Sequence, residues 1–192
     1  MSLYTIALLA LTAILVVYAI MIYNSLVTVK HNVSKAWANL EVLLKQRHDE
    51  IPKLIEVCKQ YRQFEQDTLS RVIEARSKVF AASQSQNMGD LGKAETQLRG
   101  SLANLYAVAE AYPDLKTNEQ FQNLQSRISS LENAIADRRE FYNESANINN
   151  VRIEQFPDGL IAGMFDFPPR QMLQFGAEEK SDVDVRKLFA TS

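Results

Sequence analysis

The feature that most constrains this chain is a run without charge. No Asp, Glu, Lys or Arg occurs before Lys30, although the 192 residues carry 21 basic and 23 acidic side chains. Within that stretch, residues 3–23 read LYTIALLALTAILVVYAIMIY, with no Gly or Pro. As a helix rising ~1.5 Å per residue this run is ~31 Å long, the thickness of a hydrocarbon core of ~30 Å. Its polar atoms are hydroxyls of Tyr and Thr. A Thr hydroxyl bonds back to a carbonyl one turn earlier and so costs little in lipid. Tyr4 and Tyr23 stand at the two ends, where interfacial tyrosines belong. The run lacks the glycines of a GxxxG dimerisation face.

A secretory signal needs a basic leader, a shorter apolar core and a small-residue cleavage site. Here Met1-Ser2 carries no side-chain charge and no A-x-A site follows, so a retained anchor is the expectation. Lys30 and Lys35 lie beyond the run and no basic residue precedes it. The basic excess predicts a cytoplasmic C-terminal side, with the N-terminus outside. Lys30, Lys35, Tyr4 and Tyr23 are thus the expected membrane-interface residues.

The remaining composition excludes more than it names. The net charge of −2 argues against a nucleic-acid partner, which calls for a basic excess. One Cys precludes an intrachain disulfide or a cysteine-based zinc site. No phosphate-cradling glycine motif, HExxH or GxSxG is present. His48, Asp49 and Glu50 are adjacent rather than three or four apart, so they read as a polar turn. No catalytic residue, cofactor or metal is expected. Cys58 falls on an apolar stripe and is expected to be a buried small hydrophobe.

Breakers are sparse: Gly89 is the first glycine, and Pro52 is the only proline before Pro113. Long helices follow. One three-four repeat links Val33, Trp37, Leu40, Leu44, Ile51, Leu54, Cys58, Tyr61, Val72, Ala75 and Val79, with Arg47, Glu65 and Thr68 on the beats between. Phe121, Leu124, Ile128, Leu131, Ile135, Arg138 and Tyr142 form a second stripe; Leu91, Leu98, Leu102, Leu105, Ala109 and Tyr112 form a third. Each stripe must be buried against other helices.

The predicted fold is all-α, a transmembrane helix followed by an antiparallel four-helix bundle. A turn near His48–Ile51, with Asp49 as cap and Pro52 in a first helical turn, gives helices of about 24, 31, 24 and 34 residues, lengths that pack together. A single kinked helix through Pro52 is the alternative. Gln84–Gly92 is the expected loop, Thr117 the expected cap of the last helix, and Asn147, Asn149 and Asn150 its expected end. In domain terms this gives an anchor (1–24), a cytoplasmic bundle (25–155), an apolar Gly/Pro-bearing packing segment (156–175) and a charged tail (176–192).

Several runs carry a family likeness. They are Tyr23-Asn24-Ser25-Leu26-Val27, Ala36-Trp37, the stretch Leu44–Leu54 (LKQRHDEIPKL), Ala75-Arg76 and Tyr112–Asn118 (YPDLKTN). Further on come Phe121, Leu124-Gln125, Glu132–Ala136 (ENAIA), Arg138-Arg139, Tyr142-Asn143, Asn149 and Phe156-Pro157. Over residues 1–168 the chain resembles LemA family proteins. The resemblance implies an N-terminal anchor with a cytoplasmic antiparallel bundle, and it brings no defined biochemistry.

Two clusters stand out as candidate sites. Glu132, Asn133, Arg138 and Tyr142 are candidates for a buried polar network. Phe156, Leu160, Ile161, Met164, Phe165 and Phe167 are candidates for oligomer contacts, since an exposed patch of this size asks for cover from the chain's own bundle, a second copy or the bilayer surface. The expected role is a non-enzymatic scaffold that self-assembles and holds other membrane or cytoplasmic proteins. A membrane-tethered enzyme using Glu132, Arg138 and Tyr142 is the alternative, and a signal-transmitting bundle a second.

Overall fold

A computed structural model describes residues 2–61 and 64–173. Among the described residues six helices follow in order: α1 (Leu3–Lys59), α2 (Gln66–Gln84), α3 (Met88–Ala109), α4 (Pro113–Lys116), α5 (Glu119–Glu154) and α6 (Asp158–Met164). No strand occurs among the described residues. The architecture is all-α, as expected. The expected charged tail (176–192) and the last two positions of the expected packing segment, 174 and 175, lie outside the described residues.

The chain divides into two compact units, and α1 and α5 each contribute to both. The first comprises Met1–Glu41 and Ala136–Met172; the second is built on Val42–Ile135.

In the second unit the C-terminal part of α1, α2, α3 and the first half of α5 form an up-and-down bundle. The three-four stripes supply its core: Leu44, Ile51, Leu54, Cys58, Val72, Ala75, Leu91, Leu98, Leu102, Leu105, Phe121 and Ile128 are all buried. The helix pair α2–α3 packs along its length, and Asn87 closes the turn between them, its Oδ1 accepting from the Asp90 N–H at 3.1 Å. The expected loop Gln84–Gly92 is therefore shorter than predicted. Gly89 and Gly92 sit inside α3, because the cap at Asn87 starts the helix before either glycine can stop it. Similarly, α5 is capped by Asn118, whose Oδ1 accepts from the Phe121 N–H at 3.0 Å, and not by Thr117, which closes α4.

The expected turn at His48–Ile51 does not form. Helix α1 runs through Pro52 for 57 residues, and Asp49, the expected cap, lies mid-helix and pairs with Lys45 at 3.3 Å. A proline inside a helix deprives the carbonyl four residues back of its donor. That carbonyl is His48 O, and it accepts instead from Arg76 Nε of α2 at 2.9 Å. With the orphan satisfied and Ile51, Leu54, Ile55 and Cys58 continuing the buried stripe, the helix gains more by continuing than by stopping. The chain reverses only after Lys59, in a segment free of Gly and Pro. Tertiary contacts hold the turn there. Tyr61 Oη donates to Asp114 O at 3.1 Å and accepts from Asn118 Nδ2 at 3.2 Å, and the buried Phe64 ring lies 5.2 Å from that of Tyr112.

In the first unit the apolar run of α1 is exposed along its length, from Leu3 at 82% to Met21 at 64%. That is unlike a core helix of a water-soluble protein. Thr12 Oγ1 donates to Leu8 O at 2.9 Å, so this hydroxyl is satisfied within the helix. Farther along, Trp37 packs edge-on against Tyr142 of α5, with ring centroids 5.7 Å apart. The asparagines do not end α5. Asn150 instead makes a reciprocal pair with the backbone of Arg170, accepting from its N–H at 2.7 Å and donating to its carbonyl at 2.9 Å. Tyr142 Oη donates to Gln171 O at 2.8 Å. These bonds strap the segment after α6 back along α5.

Candidate functional site

The stretch Arg47–Glu50 organises the second unit. Arg47 occupies a core beat of α1 between Leu44 and Ile51. It is buried and paired with the equally buried Glu95 of α3. Glu95 fills the matching vacant beat between Leu91 and Leu98 of the third stripe. His48 turns to α2, and Glu50 to α5, where Arg127 Nη2 meets its Oε1 at 2.7 Å; Lys53 Nζ reaches the same oxygen at 3.0 Å. Successive side chains on a helix point about 100° apart, so residues 47, 48 and 50 address three neighbouring helices in turn. Adjacency, which argues against a metal motif, is what suits them to this purpose. Among the described residues no group of three or more His, Cys, Asp or Glu could hold a metal ion.

His48 accepts a hydrogen bond on Nε2 from Arg76 Nη2 at 2.7 Å, since the guanidinium can only donate. The ring is therefore neutral with its proton on Nδ1, and it stacks on Phe80 at 4.6 Å. Burial first, and then the Arg76 charge, hold its pKa below the ordinary 6.5; Asp49 opposes and Lys45 adds. Cys58 is fully buried, and burial pushes its thiol up to about 12.

Around the Arg47–Glu95 pair lie further polar groups. Burial raises the Glu132 carboxyl above its usual range, with Arg47 and Arg99 pulling it down and Glu95 pushing it up. Tyr106 is raised by burial and by Glu132. Of the four residues singled out in sequence, Glu132 belongs to this layer and Asn133 is exposed. Arg138 and Tyr142 belong to the first unit. Six residues advance a helix about 120° short of whole turns, so Arg138 does not share the face of Glu132. Arg138 lines an open groove of about 500 Å³ with Asn32, Lys35, Asn39, Phe141 and Glu144. Tyr142 holds the strap described above, and burial raises its phenol. The pairing of Arg47 with Glu95 was missed in sequence. Its signal is that both occupy interrupted beats of apolar stripes with opposite charge.

The segment around α6 forms the second candidate. Ala162 is buried with Ile22 and Leu26 of α1, and Ile153, Ile161 and Phe167 pack around them. Tyr23 receives the rings of Phe165 at 4.8 Å and Phe167 at 5.9 Å. Lys30 Nζ stands 5.7 Å from the centre of the Phe167 ring. Arg152 joins α5 to both neighbours, pairing with Asp158 and donating to Ser25 Oγ at 3.0 Å. Ile161 and Phe167 thus turn inward onto α1, whereas Phe156, Leu160 and Met164 face outward; Phe165 lays one side on Tyr23 and leaves the other exposed. Tyr4, at the far end of the apolar run, is exposed.

Comparison with known proteins places this geometry. The chain is 23% identical to magnetosome protein MamQ 2 of Paramagnetospirillum magneticum, over 88% of this chain and 71% of that one. It is 23% identical to MamQ of Magnetospirillum gryphiswaldense, over 77% of this chain and 63% of that one. It is 26% identical to Protein LemA of Metamycoplasma hominis, over 86% of this chain and 74% of that one. The LemA family model matches residues 36–186, which takes in the Arg47–Glu50 layer, the turn at Tyr61 and the α6 segment alike; the chain belongs to the LemA family.

Proposed function

We propose that this protein is a membrane-anchored interaction scaffold without chemistry of its own. It crosses the bacterial inner membrane once, keeps its N-terminus outside, presents its bundle to the cytoplasm, and self-associates there to hold other proteins. The observation that carries this reading is the continuity of α1. One helix supplies both an apolar segment long enough to cross a bilayer and the strand of residues that ties the bundle together. Apolar side chains exposed from Leu3 to Met21 support lipid as the solvent of that segment. Lys30 and Lys35, which follow it, support the orientation. The interior ionic groups support a structural role, since Arg47, His48 and Glu50 are each engaged by another helix.

Mass measurement of the full chain in lipid nanodiscs at micromolar concentration tests the scaffold. An assembly of two or more copies, or a stoichiometric protein partner retained from the native membrane, is the expected result. A bare single chain under both conditions would overturn it.

A further inference from the structure

The outward face of the α6 segment has no cover within the described chain, and its position along α1 indicates what covers it. Resting on the membrane reading above, we propose that this segment is a foot inserted in the headgroup layer of the bilayer, with Phe156, Leu160, Met164 and Phe165 in contact with lipid.

Three observations carry this. The first is depth. Tyr23 closes the apolar run, and it is the residue on which Phe165 and Phe167 rest. Leu26, which with Ile22 seats Ala162, lies three residues on, or ~4.5 Å along the helix axis. The headgroup region extends roughly 5–7 Å beyond each side of the hydrocarbon core. In-chain packing therefore holds the foot within that layer. The assignment survives a shift of the span, since α1 stays uncharged as far as Val29.

The second is direction. Phe156 is 85% exposed, Leu160 66%, Met164 75% and Phe165 53%. Leu160 and Met164 are four apart and share a face of α6. Tyr18, Ile20 and Met21, just before Tyr23 on α1, are exposed and apolar as well.

The third is the company it keeps. Tyr23, Phe165 and Phe167 form an aromatic group with Lys30 above it, and Arg152 stands behind. Aromatic rings with basic side chains on the aqueous side are the composition of a membrane interface. A second copy fits less well. Even fully covered, four partly exposed side chains offer less than the ~800 Å² per partner that a stable protein interface buries.

The test uses full-length protein reconstituted in phosphatidylcholine–phosphatidylglycerol vesicles. Nitroxide labels are placed singly at Leu160→Cys, Met164→Cys, Ile14→Cys and Glu119→Cys, with the unsubstituted chain, whose Cys58 is buried, as blank. Collision rates with oxygen and with a water-soluble nickel chelate report lipid against water. The expected result is an oxygen-to-nickel ratio at 160 and 164 several-fold above that at 119 and below that at 14. Water-like values at 160 and 164 with a lipid-like value at 14 would overturn the foot alone. A water-like value at 14 would overturn the membrane reading with it. Spin–spin broadening at 160 and 164 that vanishes on dilution with unlabelled protein would assign the face to a second copy and likewise overturn the proposal.

Discussion

The passage of α1 through Pro52 depends on Arg76, and this dependence can be measured. Replacing Arg76 with Met keeps the aliphatic stem and removes two donors: Nε, 2.9 Å from His48 O, and Nη2, 2.7 Å from His48 Nε2. A buried carbonyl left unpaired costs about 1–3 kcal/mol; the site is half-buried, so the lower half of that range applies. For a chain of this size each kcal/mol moves the melting temperature by about 2–4 °C, and R76M should melt several degrees below the parent. Restoring an N–H at position 52 gives the His48 carbonyl its usual helical donor. Pro52→Ala alone should therefore stabilise, and in the P52A background R76M should cost about 1 kcal/mol less than in the parent. Thermal unfolding followed by circular dichroism in one detergent, for all four proteins of the cycle, measures that coupling. Strict additivity of R76M and P52A would refute the argument that Arg76 replaces the donor that proline lacks.

Other outcomes follow from the same contacts. Arg47→Ala leaves Glu95 charged and buried without its partner and should cost about 3–5 kcal/mol in urea unfolding, whereas the double replacement R47M/E95M should cost far less than the sum of the single changes. His48 titrates near 6.5 when unfolded and lower when folded, so the unfolded chain binds the extra proton first. Stability should be level above pH 6.5 and fall as pH drops from there through the folded pKa; His48→Gln, which keeps an acceptor for Arg76, should remove that part of the slope. At the base of α6, a Cβ on Gly159 would lie 3.0 Å from Ile153 O, whereas one on Gly163 meets nothing within 4 Å. Amide exchange across residues 158–164 should therefore speed up in Gly159→Ala and stay level or slow in Gly163→Ala.

Much of the fold was legible because the periods are strong. The run 3–23 reads as a span from length and charge alone, and the stripes from Leu91 to Ala109 and from Phe121 to Ile135 mark core faces that the structure buries, with Leu131 only half-buried. Breakers misled where a distant side chain decided the outcome. Pro52 signals a helix start unless Arg76, 24 residues on, supplies a donor to His48 O. The reversal at Tyr61 has no local signal, since its contacts come from Asp114 and Asn118. Asn149 and Asn150 read as helix-weakening because their partners, the carbonyls of Pro168 and Arg170, lie beyond the next turn. The charged layer was half visible. Arg47 on an apolar beat calls for a buried acid, and the vacant beat at Glu95 answers it. Glu132 is recognisable in the sequence as a polar core candidate, but helical spacing sets Arg138 and Tyr142 on other faces of α5.

If lipid surrounds the apolar run of α1 and water the bundle, labelling from one side of the membrane reports both. Cysteines introduced by Ser2→Cys and Glu119→Cys, one before the span and one on the exposed start of α5, would be exposed in spheroplasts to a maleimide that cannot cross the membrane. The expected result is labelling at position 2 in intact spheroplasts and at position 119 only after permeabilisation. Labelling at 119 in intact spheroplasts, or at neither position until the membrane is opened, would contradict a single span with the bundle in the cytoplasm.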